Sequence, residues 1–216
     1  MKNHQRYIPL LKSNKKLSKL DFDSKNILST NFFLISNGLH EANHFIKKGN
    51  ENVLKARFAD AKFFIEFDQN LSCKSRNNKI SSISYLKDLG NISEKVERII
   101  STANEIFNEI KDSSINIKDL LEAAKYSKHD LCSEIVKEFP ELQGTMGGKY
   151  LFNEGFSENV SLAVSEHYFP RFYKDNLPST KYGSILAISD KLETIISLFV
   201  IGQRPSGSSD PYALRR

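Results

Sequence analysis

The stretch that most constrains this fold runs from Ala123 to Tyr150, AAKYSKHDLCSEIVKEFPELQGTMGGKY. Its front half carries apolar residues at helical spacing, and its back half is rich in breakers: Pro140, then Gly144, Gly147 and Gly148. A proline ring blocks a continuing helix and disfavours helical geometry at the residue before it. A helix bearing the adjacent pair His129-Asp130 is therefore expected to stop at Pro140 and turn sharply. The rest of the chain is expected to supply helices that pack around it.

A chain of 216 residues can hold one good-sized core, or one domain and a fragment of another. With 15 Phe and 8 Tyr but no Trp, and only six Pro and ten Gly, it reads as an ordered, mainly α globule. The net charge of +5 allows a polyanionic partner through local patches without demanding one. Cys73 and Cys132 lack CxxC spacing, so reduced thiols are expected, and neither a disulfide framework nor a zinc site. The first twenty residues are basic and polar, unlike a secretory signal. Ile195 to Ile201, the longest apolar run, is interrupted by Ser197 and too short to span a bilayer. A cytoplasmic protein without membrane association is expected. The ending ALRR carries no Gly or Pro stop, which predicts that the natural chain continues.

Along the chain, RYIPLL and FFLIS are short apolar runs bounded by turn-prone segments, so residues 1–35 read as a hairpin from a β-rich neighbour. From Asn52 to Asp68 the period becomes helical, with Val53, Leu54, Phe58, Ala61, Phe64 and Ile65 as its stripe. Gln69 to Ser84, rich in Ser, Asn and Lys, reads as a linker. Asn91 and Glu94 have capping-box spacing ahead of the stripe Ile92, Val96, Ile99, Ala103, Ile106, Ile110. The organising helix is expected over Ile117 to Lys137, with Leu121, Ala124, Leu131 and Ile135 on one face. Ser157 should cap a helix with Val160, Ala163, Val164 and His167 inward. Ser179 or Thr180 should cap another, with Tyr182, Ile185, Leu186, Leu192, Ile196 and Phe199 inward and Gly202 as its stop.

Three constellations could carry chemistry. A His-Asp pair on a core helix with a later aspartate is how HD phosphohydrolases hold an activating divalent ion. Here that set would be His129, Asp130, His167 and Asp190. The preceding helix contains no histidine, however, and His129 and Asp130 fall off the apolar stripe of theirs. The residues thus favour a helical scaffold without metal, and a hydrogen-bonded core histidine at 167. Second, GTMGGK misses P-loop spacing by one residue and is followed by Tyr150, so a tight glycine turn is expected. Third, Lys149, Arg171, Lys174, Arg204, Arg215 and Arg216 fall at loops or helix ends, where cations neutralise a nucleic-acid backbone. They serve equally well as solvated surface charges.

Several phrases together resemble the β subunit of bacterial heterotetrameric glycyl-tRNA synthetase. They are HQRYIPLL, GNENVLKARFADAKFFIEFD, LGNISEKVERI, SKHDLCSEIVKEFPELQGTMGGKY, EHYFPRFYKDNLPST and AISDKLETIISLFVIGQRPSGSSDPYALRR, in family order from end to end. The resemblance implies an internal portion of a longer chain. Residues 1–35 would be the tail of an upstream domain, 36–84 a helix and linker, and 85–202 an HD-like helical domain. Residues 203–216 would open the anticodon-binding helical domain. It further implies that glycine, ATP and Mg²⁺ chemistry belongs to a separate α subunit, with no cofactor or catalytic residue on this chain. The implied partners are that subunit, in an α2β2 tetramer, and tRNA(Gly). In the family the position of His129 is usually a small residue, so the literal pair reads as a local variant.

Overall fold

A computed structural model describes residues 7–12, 20, 28–86 and 89–204. Strands β1 (Ile8–Leu11) and β2 (Leu28–Phe33) pair antiparallel, Ile8 opposite Phe33 and Leu11 opposite Leu28. This is the expected hairpin, and its turn lies outside the described residues. Tyr7 ties it to the next helix, its ring edge-on to Phe32 and its hydroxyl donating to Asn50.

Eight α-helices follow among the described residues: α1 (Asn43–Gln69), α2 (Cys73–Lys79), α3 (Ile92–Ile110), α4 (Ile117–Tyr126), α5 (Glu134–Glu138), α6 (Thr145–Asn153), α7 (Glu158–Glu166) and α8 (Lys181–Val200). The chain is mainly α with a short β fragment, as expected. Helix α3 packs on α4 and α8, and α7 packs on α4, α6 and α8. Their shared core includes Ile99, Leu120, Leu151, Val160 and Leu186, with Ala61, Phe64 and Ile65 of α1 leaning on its edge. No helix among the described residues is long and apolar enough to cross a membrane.

The local caps form where the sequence places them. Asn91 accepts from the Glu94 amide, Ser157 from Val160 and Thr180 from Gly183, while Gly202 takes φ +75° after α8. Three further helix starts are held by carboxylates remote in sequence, and a fourth carboxylate joins the cap of α8. Glu154 accepts from Cys73 N at 2.8 Å and Asp68 from Glu134 N at 2.8 Å. Asp130 accepts from Gly144 N at 2.6 Å and from Gly147 N at 3.0 Å. Glu166 accepts from Ser179 N at 2.9 Å and Thr180 N at 3.2 Å, just ahead of α8. Each places negative charge on the unsatisfied amides of a helix N-terminus, where the macrodipole favours it.

Several sequence expectations are corrected. The organising helix is not continuous to Lys137. It ends at Tyr126, passes through a 3₁₀ turn at His129–Cys132 and restarts at Glu134. Asp68 makes the break possible by capping the new start, and apolar spacing alone does not register it. The expected linker is helix α2, with Cys73 and Arg76 buried. Of the three glycines, only Gly144 has positive φ, +75°. Gly147 and Gly148 are helical, and a Cβ on Gly148 would stand 2.4 Å from the Ser161 carbonyl oxygen, so that glycine lets α6 and α7 touch. On α8, Tyr182, Ile185 and Leu186 face inward as expected. Leu192, Ile196 and Phe199 are exposed, while Ser189, Asp190, Glu193 and Ser197 are buried with Leu198. That face turns inward because buried lysines await its carboxylates. Val53, Phe58 and Ile110 are likewise exposed, lying beyond the reach of the core.

Candidate functional site: a buried cation centre and surface cations

The polar residues of the organising stretch divide between two sides of the interior. On one side stands Arg76 of α2, 1% exposed. Its Nη1 donates to the carbonyls of Asp68 and Leu71, both at 2.6 Å, and its Nη2 to Glu154 Oε1 at 3.3 Å. Its guanidinium lies 4.4 Å from the centre of the Tyr150 ring. His129 sits beside it, Nδ1 at 3.5 Å from Arg76 Nε and Nε2 at 3.1 Å from the Gly147 carbonyl. Burial, reinforced by the guanidinium, pushes the His129 imidazole down to about 3, so it stays neutral. Asp130, next in sequence, faces the α6 amides. Burial outweighs those hydrogen bonds and pushes its carboxyl up to about 6. Its Oδ1 is buried without a hydrogen-bond partner.

On the other side, helices α3, α7 and α8 meet the turn after α4. Lys128 Nζ, 3% exposed as a residue, donates to Asp190 Oδ2 at 2.7 Å and lies 2.9 Å from His167 Nε2. It also stands 4.0 Å from the centre of the Tyr168 ring. His167 Nδ1 is 2.7 Å from the Val164 carbonyl. A carbonyl can only accept, so Nδ1 carries the proton and Nε2 offers its lone pair to Lys128. Burial and the nearby ammonium hold His167 well below the usual imidazole range. Burial alone would raise the Asp190 carboxyl, yet Lys128 and Lys95 outweigh it and keep it far below the ordinary value. Lys95 of α3 sits 3.2 Å from Asp190 Oδ1 and donates to Thr194 Oγ1 at 2.7 Å and to Glu193. Glu193 in turn accepts from Arg98 Nε at 2.9 Å and Ser197 Oγ at 2.7 Å. His167 is thus the hydrogen-bonded core histidine expected of it.

The four residues of the metal reading are therefore split. His167 and Asp190 share Lys128, His129 answers Arg76, and Asp130 caps α6. Among the described residues no group of three or more His, Cys, Asp or Glu is placed to hold an ion. Contrary to the helical projection, His129 and Asp130 are fully buried, because the 3₁₀ turn rotates them inward.

The surface cations differ in kind. Arg171 is built into the fold, its Nη1 and Nη2 each donating at 2.6 Å to the carbonyls of Glu141 and Gln143. It clasps the turn after Pro140 and is not the edge residue the breaker pattern suggested. Lys149 is half-buried on α6, inside a helix instead of a loop. Lys174 has left-handed φ of +66° and lies 5.5 Å from the Tyr173 ring centre; Arg204 lies 5.8 Å from that of Phe199. Both cations are exposed, and among the described residues neither forms an ion pair. Arg215 and Arg216 lie outside the described residues. An open concavity of about 800 Å³ between β2 and α1, lined by Thr30, Phe32, Asn43, Lys47 and Lys55 among others, contains none of these candidates.

Residues 1–216 match the sequence profile of the family described as "Glycyl-tRNA synthetase beta subunit". The chain belongs to that family. Curated relatives called "Glycine--tRNA ligase beta subunit" align with all of it: 39% identity in Halothermothrix orenii, 40% in Bacillus subtilis strain 168 and 42% in Neisseria meningitidis serogroup C. The chain spans about 30% of the length of these relatives.

Within this chain, sequence reasoning found His167 and Asp190 but missed Arg76, Lys95 and Lys128. A lysine or arginine on a polar stretch reads as solvated surface. The available signal was Lys95, which lies between Ile92, Val96 and Ile99 on the α3 stripe.

Proposed function

We propose that this chain is the portion of a glycine–tRNA ligase β subunit that supports tRNA binding during ATP-dependent attachment of glycine to tRNA(Gly). Glycine, ATP and Mg²⁺ are handled by the separate α subunit, in a cytoplasmic α2β2 tetramer. Residues from about 85 to 202 form its HD-like helical domain, which binds no cofactor of its own. The observation carrying this reading is the family match over every residue of the chain. The placement of charge supports it: the interior cations are consumed by buried partners, which leaves surface cations for a polyanion. Lys174 and Arg204 each lie beside an exposed ring, a pairing suited to a phosphate and an unstacked base together. Lys149, Arg215 and Arg216 complete the candidate set. Arg171 supports the loop that carries Lys174, its own amide bonded to Asp175 Oδ2 at 2.8 Å.

The test is filter binding of tRNA(Gly) to the 216-residue chain. Lys174→Glu with Arg204→Glu should weaken binding without changing the melting temperature. Unchanged affinity at low salt rejects these residues as the contact.

A further inference from the structure

We propose that the ammonium of Lys128 is a built-in cation occupying a divalent-metal position whose ligands are His167 and Asp190, so that this centre is closed to metal by its own side chain. The proposal stands independently of the tRNA reading. Three observations carry it.

The first is the state of His167. A metal-ligating histidine characteristically donates its remote N–H to a carbonyl or carboxylate, which fixes the tautomer and aims the other nitrogen at the ion. His167 is held in that way by the Val164 carbonyl at 2.7 Å, and the lone pair so aimed meets Lys128 Nζ at 2.9 Å. The second is the convergence of acceptors on one point. Asp190 Oδ2 lies 2.7 Å from the same nitrogen and the face of Tyr168 is 4.0 Å away, so imidazole, carboxylate and π-cloud surround a single positive charge. Imidazole and carboxylate are ligands for divalent first-row ions. The third is the balance of charge. Asp190 is buried with Lys128 on one oxygen and Lys95 at 3.2 Å from the other. An ion entering beside Lys128 would meet two ammonium groups at close range, in an interior where like charges repel strongly. Lys128 and a metal therefore exclude one another. The sequence drew attention to the pair His129-Asp130, but the residue that decides the matter is the lysine just before it.

It follows that removing the ammonium should uncover the site. The experiment compares the wild-type chain, Lys128→Ala and Lys128→Ala/His167→Gln, each stripped with chelator and then titrated with Co²⁺ or Zn²⁺ alone. Melting temperature is followed with both ions, and visible absorption with Co²⁺. Wild type should show no metal-dependent shift. Lys128→Ala should melt lower and recover by about 5–10 °C at a metal concentration roughly 100 times the dissociation constant. Its Co²⁺ form should show ligand-field bands. The double variant should lose both responses, which separates this site from binding at the two cysteines. If Lys128→Ala does not fold without metal, it is refolded from urea with and without Co²⁺, and recovery only with Co²⁺ supports the proposal. No metal-dependent gain in Lys128→Ala, an equal gain in wild type, or a gain retained by the double variant overturns it.

Discussion

Replacing Asp68 with alanine should be among the most damaging single changes in this chain. Asp68 closes α1 and is 1% exposed. Its carboxylate accepts from Glu134 N at 2.8 Å, Ile135 N at 3.1 Å and the Tyr150 hydroxyl at 3.0 Å. One side chain thus joins α1, the restart of the broken helix at α5, and α6. Loss of a helix cap costs about 1–2 kcal/mol. Loss of the charge-assisted hydrogen bond from the Tyr150 hydroxyl costs about 1–3 kcal/mol more. Removing the carboxylate also removes its own desolvation cost, which limits the net loss to about 2–4 kcal/mol. For a chain of this size each kcal/mol moves the melting temperature by roughly 2–4 °C, so Asp68→Ala should melt about 4–16 °C lower. Asp68→Asn should fall between, since its carbonyl still serves one amide while its NH₂ opposes the remaining donors. Asp60→Ala, on the exposed face of the same helix, should stay within about 0.5 kcal/mol of wild type. Urea melts followed by circular dichroism give the comparison. An Asp68→Ala variant within about 1 kcal/mol of wild type would refute the claim that remote carboxylates start these helices.

Stability should also fall on acidification. His129 and His167 stay neutral in the fold but bind protons near pH 6.5 once unfolded, so each loses stability as pH drops below that value. Asp130 works the other way, because its raised carboxyl binds a proton in the fold between about pH 6 and 4. The unfolded state then holds one extra proton net, and stability should decline by about 1.4 kcal/mol per pH unit over that window. Asp130→Asn should steepen the decline to about 2.7 kcal/mol per unit, and a flat urea-stability profile from pH 7 to about 4 would contradict the buried neutral histidines. Gly148→Ala should destabilise by about 1–3 kcal/mol, because its Cβ meets backbone of α7. Gly155→Ala meets no neighbour but must hold φ +86°, so it should cost about 1 kcal/mol through strain alone. Equal melting of these two variants would deny the close approach of α6 and α7.

What could be read from the sequence was what local chemistry decides. Asn91, Ser157 and Thr180 cap helices whose own first amides they reach, and Gly202 ends α8 because the left-handed turn there needs it. The hairpin was legible from two short runs with turn residues between them. The break in the organising helix was not, because the residue that caps its restart, Asp68, lies 66 positions before Glu134. The exposure of Ile196 and Phe199 was hidden for a related reason: apolarity alone would bury them, but ion pairs of Lys95 and Lys128 turn the opposite face inward. Arg76 looked like linker charge, yet five acceptors and a ring surround it, none within two residues of it in sequence. The candidate site was legible only in half: its acceptors His167 and Asp190 stood out, and the cation they hold did not.

The central proposal, that this chain meets tRNA through surface cations, is tested most directly by the salt dependence of tRNA(Gly) binding to the 216-residue chain. Log affinity should fall linearly with log salt, with a slope close to the number of phosphates neutralised. Lys174→Gln and Arg204→Gln should each lower that slope by about 1 while leaving the melting temperature unchanged. Binding that is insensitive to salt, or a slope that neither substitution alters, would contradict it.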